Sequence, residues 1–122
     1  MKNIHILSTD KPSRLHYFTA NKAGYYLYPN NELVIPNNPN CINQSIYITS
    51  DDKIKKKDWA YVFRGGTHRV EKAIHNYLQT WKKIILTTDP DLIKDGVQAI
   101  DDEFLEWFVK NPSCEEVEVQ DW

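Results

Sequence analysis

The chain has 122 residues, 41% hydrophobic and 26% charged, which fits one globular domain (1–122) with a modest core and argues against wholesale disorder. No apolar run reaches the roughly 18–20 residues that cross a bilayer, and Met1 to Asp10 lacks the continuous apolar stretch of a signal peptide, so a cytoplasmic protein without membrane contact is expected. The net charge of −2 hides a polarity: residues 1–88 carry 13 Lys and Arg against 6 Asp and Glu, whereas residues 89–122 carry 2 against 11.

Ile4 to Leu7 reads as a short apolar strand, closed by turn formers from Ser8 to Ser13. Leu15 to Ala20 and Tyr25 to Tyr28, joined across Asn21-Lys22-Ala23-Gly24, read as a hairpin. Glu32 to Ile35 is a further short strand or the close of the previous one. Pro36 to Ser45, with two prolines and four asparagines, is the most loop-like stretch. Ile46 to Thr49 and Trp59 to Phe63 are the clearest strands, rich in β-branched and aromatic residues. The connection between them is charged, with Ile54 as its one apolar anchor. Gly65-Gly66 marks a sharp turn.

From Thr67 to Gln79 the spacing of Val70, Ala73, Ile74, Tyr77, Leu78 and Trp81 predicts a helix over about 68–80, with a strand as the alternative. Lys83 to Thr88 predicts a buried strand, and Thr88 to Gly96 a turn or one turn of helix. A helix over about 101–110 follows, capped by Asp101, with an apolar face of Phe104, Leu105, Trp107, Phe108 and Val109 and a stop at Asn111-Pro112. Glu115 to Val119 alternates as a final half-buried strand. The expected fold class is α+β: a small curved antiparallel sheet or SH3-like barrel with one C-terminal helix and the second helix at about 68–80.

The residues offer no chemistry of their own. His5, His16, His68 and His75 fall on separate segments without the spacing of a tetrahedral metal site. Asp89, Asp91 and Asp95 do not follow a calcium-loop pattern, because Pro90, Leu92 and Ile93 interrupt it, and read as turn and capping acids. Asp101, Asp102, Glu103 and Glu106 belong to the outer face of a helix start rather than to a cleft that would split their pKa values. Ser8, Ser13 and Cys114 lie in no nucleophile elbow, and no Gly-rich phosphate loop exists. Cys41 and Cys114 read as reduced thiols. No catalytic residue, metal ligand or cofactor is therefore expected, and the chain reads as a binding protein rather than an enzyme.

Two charged regions carry binding hypotheses. Lys53, Lys55, Lys56, Lys57 and Lys72, with Arg64, Arg69, Lys82 and Lys83, surround a sheet bearing Trp59, Tyr61 and Phe63. Cations beside exposed rings suit RNA or single-stranded DNA, whereas inward-facing rings would leave only a solvated turn. The acidic last third could dock on a basic groove, although helix-start acids and a solvent-facing strand account for most of it.

Residues 3–18, NIHILSTDKPSRLHYF, residues 82–119, KKIILTTDPDLIKDGVQAIDDEFLEWFVKNPSCEEVEV, and the central YITSDDKIKKKDW (47–59) resemble a group of short uncharacterised proteins encoded by phages and prophages of Bacteroidetes. In that group a Gly usually precedes the Asp-Trp pair, where this chain has Lys57. The group has no established activity, so the resemblance carries over no catalytic residue. It implies a small accessory protein of a mobile element. Within that setting, neighbourhood and size rather than any motif suggest an anti-CRISPR inhibitor of the type VI-B class, whose partner is a host RNA-guided, RNA-cutting nuclease or its guide-RNA complex. Such an inhibitor needs no active site, only a patch of roughly 800 Å² with aromatic or Arg anchors. Residues 20–45 and 64–81 look individual to this chain, and within them the expected contacts are Tyr25, Tyr26, Tyr28, Arg64, Arg69, His75 and Trp81. The alternatives are a stand-alone RNA- or single-stranded-DNA-binding module and a phage structural or assembly protein.

Overall fold

The computed structural model of the chain describes residues 3–9, 11, 13–19, 24–27, 41–64, 66–74 and 81–112. In chain order these form β1 (Ile4–Ser8), β2 (Leu15–Phe18), β3 (Gly24–Leu27), β4 (Cys41–Ser50), β5 (Trp59–Arg64), β6 (Thr67–Lys72), β7 (Trp81–Thr87), α1 (Pro90–Lys94), β8 (Gln98–Ala99) and α2 (Asp102–Lys110). The class is α+β, dominated by antiparallel strands, with two helices among the described residues. Contacts divide the chain into two compact units. The first holds Met1–His5, Ile46–Ala99 and Glu115–Trp122; the second holds Ile6–Ser45 and Ile100–Cys114.

In the first unit the second half of β4 pairs with β7, β7 with β5 and β5 with β6, all antiparallel, and β8 adds to β7 in parallel. Asn3 joins at the start of β1, its carbonyl accepting the Thr49 N–H at 2.9 Å. Alternation along β5 sends Ala60 and Val62 to one face, where they form a core cluster with Ile54 and Ala73, and Trp81 packs against it. Each such burial contributes about 1–3 kcal/mol, depending on the size of the side chain. α1 starts at Pro90, whose fixed φ and missing N–H suit the first helical position, and the Asp89 carboxylate caps it by accepting from Asp91 N. Gly96, at φ 108°, turns the chain away from the helix end.

In the second unit β2 pairs antiparallel with β3 on one side and with the first half of β4 on the other. α2 is capped by the Asp101 carboxylate, which accepts the Phe104 N–H at 2.8 Å. The helix buries Leu105 and Phe108 and leaves Trp107 largely exposed. The helix ends at Asn111, whose side-chain amide donates to the Trp107 carbonyl.

Two sequence expectations are corrected. The helix over about 68–80 is a strand in its first part, because Thr67–Lys72 is β6; residues 75–80 lie outside the described residues. The register Arg64↔Thr67 reverses the chain in two residues with Gly66 at φ 83°, as tight glycine-containing hairpins do. The apolar stripe that looked helical is broken: Ala73 is buried, whereas Ile74 is 65% exposed. The loop expected to Ser45 ends earlier, since β4 already begins at Cys41. Its Asn43, Gln44 and Ser45 are polar yet buried. Asn43 donates its side-chain amide to the Lys11 carbonyl, and the Gln44 carbonyl accepts the Ser13 hydroxyl at 2.6 Å. The strands expected at 32–35 and 115–119 lie outside the described residues.

Candidate functional site

Among the expected contact residues, Tyr25 and Tyr26 come together. They are consecutive on β3, so they point to opposite faces of the strand. Tyr25 stands edge-on to Tyr17 at 4.8 Å and to Phe108 of α2 at 5.3 Å between ring centroids. Burial raises its phenol pKa, with the Tyr17 hydroxyl adding to the shift. Tyr26 leans on Phe18 and remains 40% exposed. Both tyrosines line a groove of about 630 Å³ with Arg14, Leu27, Glu106, Val109 and Lys110. Arg14 is held at its edge by an ion pair with Asp102. An apolar and aromatic floor with a rim of both charge signs can take a partner's side chains and fix their orientation.

The other expected contacts distribute differently. Tyr28 and His75 lie outside the described residues. Arg64 closes β5. Arg69 is an exposed residue of β6, paired with Glu71 at 2.6 Å. Trp81 is half-buried against the cluster of Ile54, Ala60, Val62 and Ala73.

The lysine stretch forms an ordered turn in the first unit. Ile54, 2% exposed, roots it in the core, while Lys53, Lys55, Lys56 and Lys57 are exposed around it. The backbone is pinned: Lys55 N donates to Asp58 Oδ2 and Asp58 N to the Lys55 carbonyl, while Lys57 N donates to the Ala73 carbonyl and Ala73 N to the Asp58 carbonyl. Lys57 holds φ 80°, a left-handed conformation that costs a side-chain-bearing residue of order 1–2 kcal/mol. Lys57 thus adopts the conformation a glycine would occupy there without strain.

The face of β5 opposite the core carries Trp59, Tyr61 and Phe63, with Lys72, Val70 and His68 as their partners on β6. Tyr61 is buried: His5 stacks on it at 4.0 Å with an interplanar angle of 17°. Its hydroxyl is hydrogen-bonded to His68 Nδ1 at 2.8 Å, and burial raises its pKa. His68 in turn lies 4.4 Å from Phe63, which is 55% exposed. At the far end of the hairpin Trp59 Nε1 and Lys72 Nζ both donate to Asp95 Oδ2 at 2.8 Å, and Lys72 sits 5.8 Å from the Trp59 ring centre. The Lys72 bond, then the Trp59 bond, hold the Asp95 carboxyl below the usual range. A neighbouring cleft of about 310 Å³, which Lys57, Trp59, Lys83 and Asp95 help to line, has its charges largely paired, Lys83 with Asp58 at 3.8 Å and Asp95 with Lys72.

Sequence reasoning missed Arg14, Glu106, Val109 and Lys110 as groove residues and His68 as part of a ring cluster. The signal for His68 was present: the Gly-Gly pair in the sequence predicts a tight turn, and the register of the hairpin sets Phe63 opposite His68. Nothing in the sequence brings Arg14 to α2. Among the described residues no three His, Cys, Asp or Glu side chains gather as metal ligands do, and no helix is long and apolar enough to cross a membrane. No protein-family model, no curated protein and no solved structure matches the chain.

Proposed function

We propose that the chain is a non-catalytic binding protein of a phage or prophage. On this reading it is an anti-CRISPR that acts in the host cytoplasm on an RNA-guided, RNA-cutting nuclease, docking on the effector protein through the groove between β3 and α2. The observation that carries the docking mode is the pair Tyr25 and Tyr26 in a groove of about 630 Å³ rimmed by Arg14, Glu106 and Lys110. Tyrosine and arginine are over-represented among the side chains that dominate interface energies. Tyr26 is 40% exposed, while Tyr25 packs on Phe108, so an exposed ring stands beside a supported one. The setting comes from the resemblance of residues 3–18, 47–59 and 82–119 to phage and prophage proteins, and the class of partner is suggested by that setting and by the size of the chain.

The test uses a purified type VI-B effector–guide complex and a labelled target RNA. Addition of the protein in molar excess suppresses target cleavage and the two co-elute in size-exclusion chromatography, whereas the Tyr26→Ala variant does neither. Unchanged cleavage without co-elution sinks the proposal.

A further inference from the structure

We infer that the β4–β5 turn and the outer face of the β5–β6 hairpin bind single-stranded nucleic acid, independently of the groove on β3. Three observations converge. Residues 53–73 carry seven Lys and Arg against two Asp and Glu, so this segment is strongly cationic in a chain of net charge −2. Phe63 and His68 form an exposed ring pair, and His68 is preorganised by the Tyr61 hydroxyl, itself locked beneath His5. Rings held in advance lose little freedom when a base stacks on them, and stacking accepts any base.

The third observation is Lys57. Its backbone sits at φ 80° with its N–H bonded to the Ala73 carbonyl, a position that glycine fills at lower energy. The strain is tolerated because the surrounding hydrogen bonds over-determine the turn, a pattern that concentrates at functional sites. What the lysine adds over glycine is a cation beside Lys53, Lys55 and Lys56.

The geometry sets the size of the ligand. Asp58 and Phe63 are five residues apart along extended chain, about 17 Å. Trp59 and Lys72 stand at the turn end of this path, and its middle runs past His5, which stacks on the buried Tyr61. A strand of at least about four nucleotides covers this path, at the lower limit of known single-strand site sizes. Bases stack at the Phe63–His68 end and phosphates meet the lysine turn. A duplex cannot offer unstacked bases to the ring pair.

The test is fluorescence anisotropy with labelled, mixed-sequence RNA and DNA oligonucleotides of about 12 nucleotides and the matching duplex. Single strands bind, and affinity falls about 50-fold between ~50 and ~200 mM salt if four lysines meet phosphates. Phe63→Ala weakens binding about tenfold. Lys57→Gly raises the melting temperature and yet weakens binding, with a shallower salt slope, a combination that a purely structural lysine does not give. Lys94→Ala, an exposed lysine of α1, leaves binding unchanged. Any of three results overturns the inference: no saturable binding at low salt, a preference for duplex, or an equal loss in Lys94→Ala and Lys57→Gly. A docking failure at Tyr26 leaves all of these measurements unaffected, so the two readings fail separately.

Discussion

The Tyr47 hydroxyl donates to Asp89 Oδ2 at 2.6 Å, and both residues are buried. This bond ties β4 to the cap of α1, since Oδ1 of the same carboxylate accepts from Asp91 N. Tyr47→Phe keeps the ring and removes only the donor. Hydrogen bonds to charged groups contribute about 1.5–3 kcal/mol, so urea unfolding of the variant shows a loss of that size with an unchanged m-value. A loss below about 0.5 kcal/mol would show that solvent reaches the carboxylate.

His16 gives the fold a dependence on pH. Its ring is fully buried and its Nε2 lies 2.7 Å from the Ser13 carbonyl. Burial lowers its pKa below the usual 6.5, and the bond to Ser13 opposes the shift more weakly. The folded state therefore binds the proton less readily than the unfolded chain. Stability falls as pH drops below about 6.5, by at most ~1.4 kcal/mol per pH unit, and levels off below the folded pKa. Urea midpoints measured between about pH 7.5 and 5.5 show this slope in the wild type. His16→Gln flattens it, and the difference isolates His16 from the other histidines. Equal slopes in both proteins would contradict the assignment.

These two buried contacts also show what the sequence could and could not reveal. Strands rich in β-branched and aromatic residues, such as β5 and β7, were legible because burial and propensity agree there. So were the caps Asp89 and Asp101, because their spacing to the first helical turn is local. The start of β4 was not, because Asn43, Gln44 and Ser45 are buried although polar, and the bonds from the Asn43 side-chain amide to the Lys11 carbonyl and from the Ser13 hydroxyl to the Gln44 main-chain carbonyl span some thirty residues of sequence. No local pattern encodes such partners. β6 was misread because Val70, Ala73 and Ile74 copy a helical period across a strand end, and the pairing of Thr67–Lys72 with β5, together with the exposure of Ile74, separates the two readings. The groove was half legible: the tyrosines stood out by type, but Arg14 is tied to α2 through Asp102, 88 positions along the chain.

The cap of α2 can be tested by itself. Asp101 accepts the Phe104 N–H and is exposed, so its removal affects the helix start and little else. Asp101→Ala costs about 1 kcal/mol, or about 3–5 °C in melting temperature for a chain of this size. Asp101→Asn retains most of the stability because the side-chain oxygen persists. If both variants melted alike, the cap would not be the stabilising element.

The two faces of β3 separate a half-buried ring, Tyr25, from an exposed one, Tyr26. Phe108 is fully buried and supports Tyr25, so Phe108→Ala costs about 3–5 kcal/mol and loosens the groove floor with it. Tyr26 leans on Phe18 and is 40% exposed, so Tyr26→Ala costs under about 1 kcal/mol. If the groove is the docking surface, the order reverses in a binding assay against the effector complex. Tyr26→Ala then loses about 2 kcal/mol or more of affinity while its urea midpoint stays near the wild-type value. Calorimetric titration beside denaturant unfolding measures both quantities on the same preparations. Parallel losses of affinity and stability across the variants would mean that the ring matters only through the fold, and the partner would then have to be sought on another surface.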